Sequence, residues 1–167
     1  GRLWVGTQNG LAWMNRKNGT FRIFRHEEAE PASISNSGIA CILEDRTGTI
    51  WIGTNSGLNR IAVDDSNGSI SFLKPDSTAL PSDMPVTALA LDATGRIWVG
   101  RLDGVRVLTT EERLVAHYRH DPREERSLSN GAVRAICEDK QGNMWIGTDR
   151  GLNILKPGDT GFIRLNH

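Results

Sequence analysis

Three observations predict an all-β fold, a β-propeller fragment with four-stranded antiparallel blades on a 47-residue repeat. The phrases "GRLWVGTQNGL", "GTIWIGTNSGL", "GRIWVGRLDGV" and "GNMWIGTDRGL" place Trp4, Trp51, Trp98 and Trp145 at intervals of 47 residues. Turn residues recur between short β-prone runs about every 8–12 residues, as in hairpin-linked strands. No stretch keeps a helical period of apolar residues. A period of roughly 20–50 residues marks repeat architecture, and a four-stranded unit that buries both faces is a propeller blade.

The last unit gives the elements in order. "VRAICED", "NMWIGT", "LNILKP" and "FIRLNH" read as four strands. Asp45, Asp92 and Asp139 each stand three residues before Gly48, Gly95 and Gly142, the signature of a type I turn in which the carboxylate accepts a backbone N–H. Their recurrence in one turn argues for a structural role over ligation or acid catalysis. Asn9-Gly10, Ser56-Gly57, Asp103-Gly104 and Arg150-Gly151 supply the positive φ of a tight second hairpin. In "MWIGT" the side chains alternate, so Met144 and Ile146 share one face while Trp145 and Gly147 share the other. A strand apolar on both faces is covered on both sides. Gly6, Gly53, Gly100 and Gly147, each two residues after its Trp, leave room there for a bulky group from the adjacent sheet.

The unit boundaries follow. Residues 1–26 form an incomplete blade lacking its first strand, and full blades run over about 33–74, 80–120 and 127–167. A chain so divided is expected to be part of a larger ring, with open sheet edges and exposed apolar blade faces. Its expected partners are the remainder of a parent propeller and further copies of itself, as a homo-oligomer through those faces.

Composition narrows the function classes. Lys and Arg number 20 and Asp and Glu number 20, so the net charge is zero and neither nucleic acid nor an anionic membrane surface is an expected partner. No apolar run reaches membrane-spanning length, and no secretory signal opens the sequence. Cys41 and Cys137 are too few for a disulfide framework or a zinc site and are expected to be small buried residues. There is no nucleophile elbow, phosphate-binding glycine loop, metal-spaced His/Cys cluster or kinase motif. The expectation is therefore a chain without catalytic residues, metal or cofactor. His26 and His120 fall at matching places in the links between blades, which favours a structural role.

Residues that break the metre are the candidate ligand-binding positions. Arg101 stands where the other units have Thr7, Thr54 and Thr148, with Asp103 two residues on. Trp13 stands where later units have Arg60, Val107 and Ile154. An Arg beside an Asp can hold a carboxylate or sugar hydroxyls, and a Trp can stack on a sugar ring. Such a site would take a small molecule or carbohydrate. The structural alternative is drift of a loop residue together with a Trp that packs between blades.

The pattern "SLSNxxVxxIxEDxxGxxWIGTxxGLNxL" at 127–155 resembles the propeller repeat of two-component regulators. Residues 32–61 match equally well, residues 79–108 match with departures, and residues 1–14 match the second half of a unit. The resemblance implies the periplasmic or extracytoplasmic sensor propeller of a hybrid histidine kinase or diguanylate cyclase. The implied function is a non-catalytic sensory input module that binds a ligand or relays a conformational change to a downstream kinase or cyclase domain. A protein–protein interaction or dimerisation scaffold and a propeller enzyme, lyase or hydrolase, are the alternatives.

Overall fold

The computed structural model describes residues 3–165 apart from 17, 65, 67, 76, 77, 82 and 83. Residues 1–2 and 166–167, the ends of the first phrase and of "FIRLNH", thus lie outside the described residues. Every regular element among those described is a β-strand. The first sheet comprises β1 (Leu3–Thr7), β2 (Gly10–Met14) and β3 (Phe21–Phe24). The second comprises β4 (Ile39–Glu44), β5 (Ile50–Thr54), β6 (Gly57–Val63) and β7 (Ile70–Leu73). The third holds β8 (Val86–Leu91), β9 (Ile97–Arg101), β10 (Gly104–Leu108) and β11 (Leu114–Tyr118). The fourth holds β12 (Val133–Glu138), β13 (Met144–Thr148), β14 (Gly151–Leu155) and β15 (Ile163–Leu165). All pairings are antiparallel between chain neighbours, the order of propeller blades.

The four Trp phrases occupy equivalent strands β1, β5, β9 and β13. Successive sheets approach most closely through β4, β8 and β12, so the first strands lie on the inner side of the stack and the sheets splay outward. Three apolar clusters form the core, one at each sheet-to-sheet interface. Leu11, Ile39 and Ile52 centre the first, Trp51, Val86 and Val99 the second, and Trp98, Val133 and Ile146 the third.

At each interface a residue of one blade is seated on a glycine of the blade before it. A Cβ added to Gly6 would lie 2.6 Å from Ile39 Cγ2, one on Gly53 2.6 Å from Val86 Cγ1, and one on Gly100 2.7 Å from Val133 Cγ1. Ile39, Val86 and Val133 each begin a first strand, directly before a register shift. The bulge turns these side chains toward the preceding blade. At Gly147 the nearest atom to an added Cβ is Ala135 Cβ at 3.8 Å, in its own sheet.

Burial follows position in the stack. β9 is buried along its whole length, whereas Leu3 and Val5 on the outer face of the first sheet are each 39% exposed. That position also corrects the expectation for one cysteine. Cys41 is half-buried, and burial pushes its thiol up to about 12. Cys137 is exposed. It pairs with Trp145 on the face of the fourth sheet that no further described blade covers, whereas Cys41 faces the third blade across Gly53.

Candidate functional site

The site is built where the third blade departs from its neighbours. In the second blade, Ser35 Oγ lies 2.9 Å from Thr54 Oγ1, Asn59 Nδ2 donates to Ser35 Oγ at 2.7 Å, and Ser35 N donates to Asn59 Oδ1 at 3.0 Å. Ser129, Thr148 and Asn153 repeat this network in the fourth blade. Asn59 and Asn153 are fully buried, so these bonds satisfy amides that have no access to water.

In the third blade Arg101 replaces the Thr and Arg106 replaces the Asn. Both are buried, Arg101 completely. Arg101 Nη1 donates to the carbonyl of Pro81 at 2.7 Å, tying the incoming interblade link to the end of β9. Arg101 Nε lies 3.5 Å from Asp103 Oδ1, and Arg106 Nη1 lies 3.1 Å from Asp103 Oδ2. His117 Nε2 is 3.9 Å from the same carboxylate and accepts a hydrogen bond from Arg119 Nε at 3.1 Å. Burial, and then the Arg106 charge, hold the His117 imidazole below its usual value. It is therefore neutral at pH 7, with Nε2 as acceptor. Two buried guanidiniums meet one partly exposed carboxylate, a cationic node with Asp103 and His117 nearest to solvent.

The structure brings Arg101 and Asp103 together and places Trp13 elsewhere. Trp13 pairs with Trp4 in the first sheet, three positions along the ladder from the Thr7–Gly10 end that corresponds to Arg101–Gly104. Its ring shares a face with Trp4, Gly6 and Leu11, the face that meets the second blade. Arg106 and His117 belong to the node and were not among the positions the sequence singled out. Arg106 has a sequence signal, since it breaks the metre set by Asn59 and Asn153. His117 has none.

The repeat aspartates do more than turn the chain. Asp45 Oδ1 accepts the backbone N–H groups of Thr47 and Thr49, and Oδ2 accepts the indole N–H of Trp51 at 2.8 Å. Asp92 holds Trp98 at 2.8 Å and Asp139 holds Trp145 at 2.7 Å in the same way. Burial raises the Asp92 carboxyl, but donation from Trp98, Thr94 and Arg96 outweighs it and brings the value to about 2. Donation from Trp145 and then Asn143 holds Asp139 at about 2. These carboxylates are fixed, fully engaged acceptors, a poor state for a general acid. His26 Nδ1 meets the Ile34 carbonyl at 2.8 Å, and His120 Nδ1 meets the Leu128 carbonyl at 2.7 Å, matching bonds that brace the links between blades. Among the described residues no group of three or more His, Cys, Asp or Glu is placed to hold a metal ion.

Residues 33–56 and 127–150 match the family described as two component regulator propeller. The extracellular domain of a hybrid two component system of B. thetaiotaomicron (BT4673) superposes with a TM-score of 0.71 and 29% identity, over 92% of this chain and 20% of that one. A second such domain from B. thetaiotaomicron (BT3049) gives 0.76 at 22% identity, over 99% of this chain and 22% of that one. Virginiamycin B lyase from Staphylococcus aureus shares the fold, with a TM-score of 0.66 at 14% identity, over 100% of this chain and 52% of the lyase. The chain thus spans about a fifth of the length of these two extracellular domains. No curated protein matches it significantly.

Proposed function

We propose that this chain, which carries two-component regulator propeller repeats, is a non-catalytic sensory input module of a bacterial signal-transduction protein, lying outside the cytoplasm. The supporting observation is the match of two repeats one double unit apart, together with the likeness to the extracellular domain of a hybrid two component system over 92% of the chain. The module binds a ligand or passes a change in blade packing to a downstream kinase or cyclase domain. Its geometry suits the second of these roles, because each blade is keyed to the next through a glycine contact and a shift in one is felt by its neighbour.

A ligand at the third-blade node would meet Asp103 and His117, with Arg101 and Arg106 holding the carboxylate from beneath. A carbohydrate hydroxyl or a small polar molecule fits those groups. The scaffold reading is favoured by one observation, the exposed apolar faces of the first and fourth sheets, and is compatible with a sensor that pairs with its own parent.

The deciding experiment is the domain order of the parent protein. The expected result is a membrane span followed by a histidine kinase or cyclase domain, with the output losing its response when this segment is deleted. A parent that ends in a lyase or hydrolase domain, or purified protein that turns over glycans at a rate abolished by a single His or carboxylate substitution, overturns the reading.

A further inference from the structure

The repeat provides an internal comparison for a cleft of about 470 Å³ between the third and fourth blades. Its lining includes Ala93, Tyr118, Glu138, Met144, Leu155 and Asp159. At the preceding interface the same position is crossed by a side chain. Arg46, one repeat before Ala93, sends Nη2 from the second blade to the third, 2.6 Å from the Ala93 carbonyl and 3.4 Å from the Asp92 carbonyl.

Two substitutions bear directly on the position of the Arg46 guanidinium. Ala93 stands where Arg46 would reach across, and Glu138 stands where the third blade has Leu91. At that position a cation is lost and a carboxylate gained. Elsewhere in the lining Arg96 and Lys156 stand where the earlier interface has Thr49 and Thr109, and Gly158 stands where it has Glu111. Glu138 pairs with Met144, whose buried side chain faces the third blade, so its carboxylate is on the cleft side of its sheet. Asp139 and Lys140, between the cleft-lining Glu138 and Gly142, take the places of Asp92 and Ala93, the residues whose carbonyls receive Arg46. Other charged groups of the lining are Asp92, Arg96, Lys156 and Asp159. Arg96 is tied to Asp92 at 2.7 Å, and Asp159 lies 3.8 Å from Arg126. One wall is aromatic: Tyr118 stacks on Trp98 with ring centroids 5.7 Å apart.

We infer that this cleft binds a guanidinium group from outside the chain, in the position that Arg46 fills from within one blade earlier. A planar guanidinium suits the Glu138 carboxylate and the aromatic wall that line the cleft, and the Asp139 and Lys140 carbonyls stand one repeat on from those that receive Arg46. The inference deepens the sensory reading by naming a ligand class. It is tested apart from that reading, since binding is read on this chain and the sensory role on the parent's output.

Titration calorimetry with N-acetyl-arginine amide, N-acetyl-citrulline amide and a Gly-Arg-Gly peptide tests it. The arginine probe is expected to bind about tenfold or more tightly than citrulline, which has the same shape without the charge. Ala93→Arg should fill the cleft and abolish binding, and Glu138→Leu, the residue of the previous blade, should weaken it about tenfold. Thermal melts report whether each variant is folded, and Glu138→Leu decides if Ala93→Arg is not. A peptide that binds more tightly than the amide assigns the guanidinium to a polypeptide; equal affinity assigns it to a free small molecule. No binding by any probe, equal binding of arginine and citrulline, or full affinity in a folded Ala93→Arg overturns the inference.

Discussion

Gly53→Val and Gly147→Val make the same chemical change at equivalent positions, and the structure gives them opposite consequences. At Gly53 the new Cβ would stand 2.6 Å from Val86 Cγ1 and also against Cys41 Sγ. Carbon–carbon contacts are best at about 3.5–4.0 Å, so the third blade must retreat by about 1 Å, and the valine methyls add to the crowding. Overpacking of this kind costs about 1–3 kcal/mol. At Gly147 the nearest atom lies 3.8 Å away, an ordinary contact. Replacing a strand glycine there restricts the unfolded chain and is expected to be neutral or to stabilise by up to about 1 kcal/mol. For a chain of this length each kcal/mol moves the melting temperature by roughly 2–4 °C, so Gly53→Val should melt about 2–12 °C below wild type. Circular dichroism melts of the two variants and wild type measure the difference. Equal losses in both variants, or no loss in Gly53→Val, would show that the glycine notch does not set blade spacing.

Asp92→Ala leaves the indole N–H of Trp98, a residue only 2% exposed, without its acceptor and should cost about 1–3 kcal/mol, read as a fall in the urea midpoint. The depressed Asp92 carboxyl stabilises the fold above the ordinary value of 3.8, and that contribution is lost as pH falls toward about 2. Acid unfolding curves of Asp92→Asn should therefore be flatter over that window than those of wild type. Glu112 has a φ of 66°, and its Oε1 lies 2.6 Å from Arg60 Nε in the previous blade. Glu112→Gly should change stability by less than about 1 kcal/mol, because relief of backbone strain offsets a half-exposed ion pair. Glu112→Ala keeps the strain, loses the pair and should melt lower than Glu112→Gly. Phe21 and Ile23, 57% and 51% exposed on the outer face of the first sheet, should promote self-association at micromolar concentration. Light scattering should detect it in wild type and find less in Phe21→Lys/Ile23→Lys.

The fold was legible because its information is local and repeated. The Asp-to-Gly turns, the hairpin glycines and the alternation around each Trp are written in every unit, and each has one low-energy conformation. Residues whose surroundings depend on their place in the stack were less accessible. Cys137 has the composition of a core strand, but no described blade covers its face. The Asp–Trp bond joins residues six apart across a turn, and reading the aspartate as a turn former alone stops short of it. Arg101 is visible as a break in the metre, yet its burial follows from the Pro81 carbonyl, which the link between blades brings back to the hairpin. His117 reaches the node through the pairing of β10 with β11, which contains an irregularity between Val107 and Leu108 that spacing does not reveal.

The glycine contacts also give the stack a polarity. Each interface joins a socket, the Trp-and-Gly face, to a plug, the bulged residue that opens the next blade. Unlike surfaces meet, so association through them is heterologous and proceeds in one direction around an axis; two sockets cannot satisfy each other face to face. The Gly147 socket is therefore matched to a blade that begins with a bulged Ile or Val. The three-stranded first sheet of a second copy, which offers no such strand among its described residues, would cover the apolar surface and leave the socket empty. A neighbour carrying the plug should displace it, which makes self-association the weaker competitor in any assembly containing both.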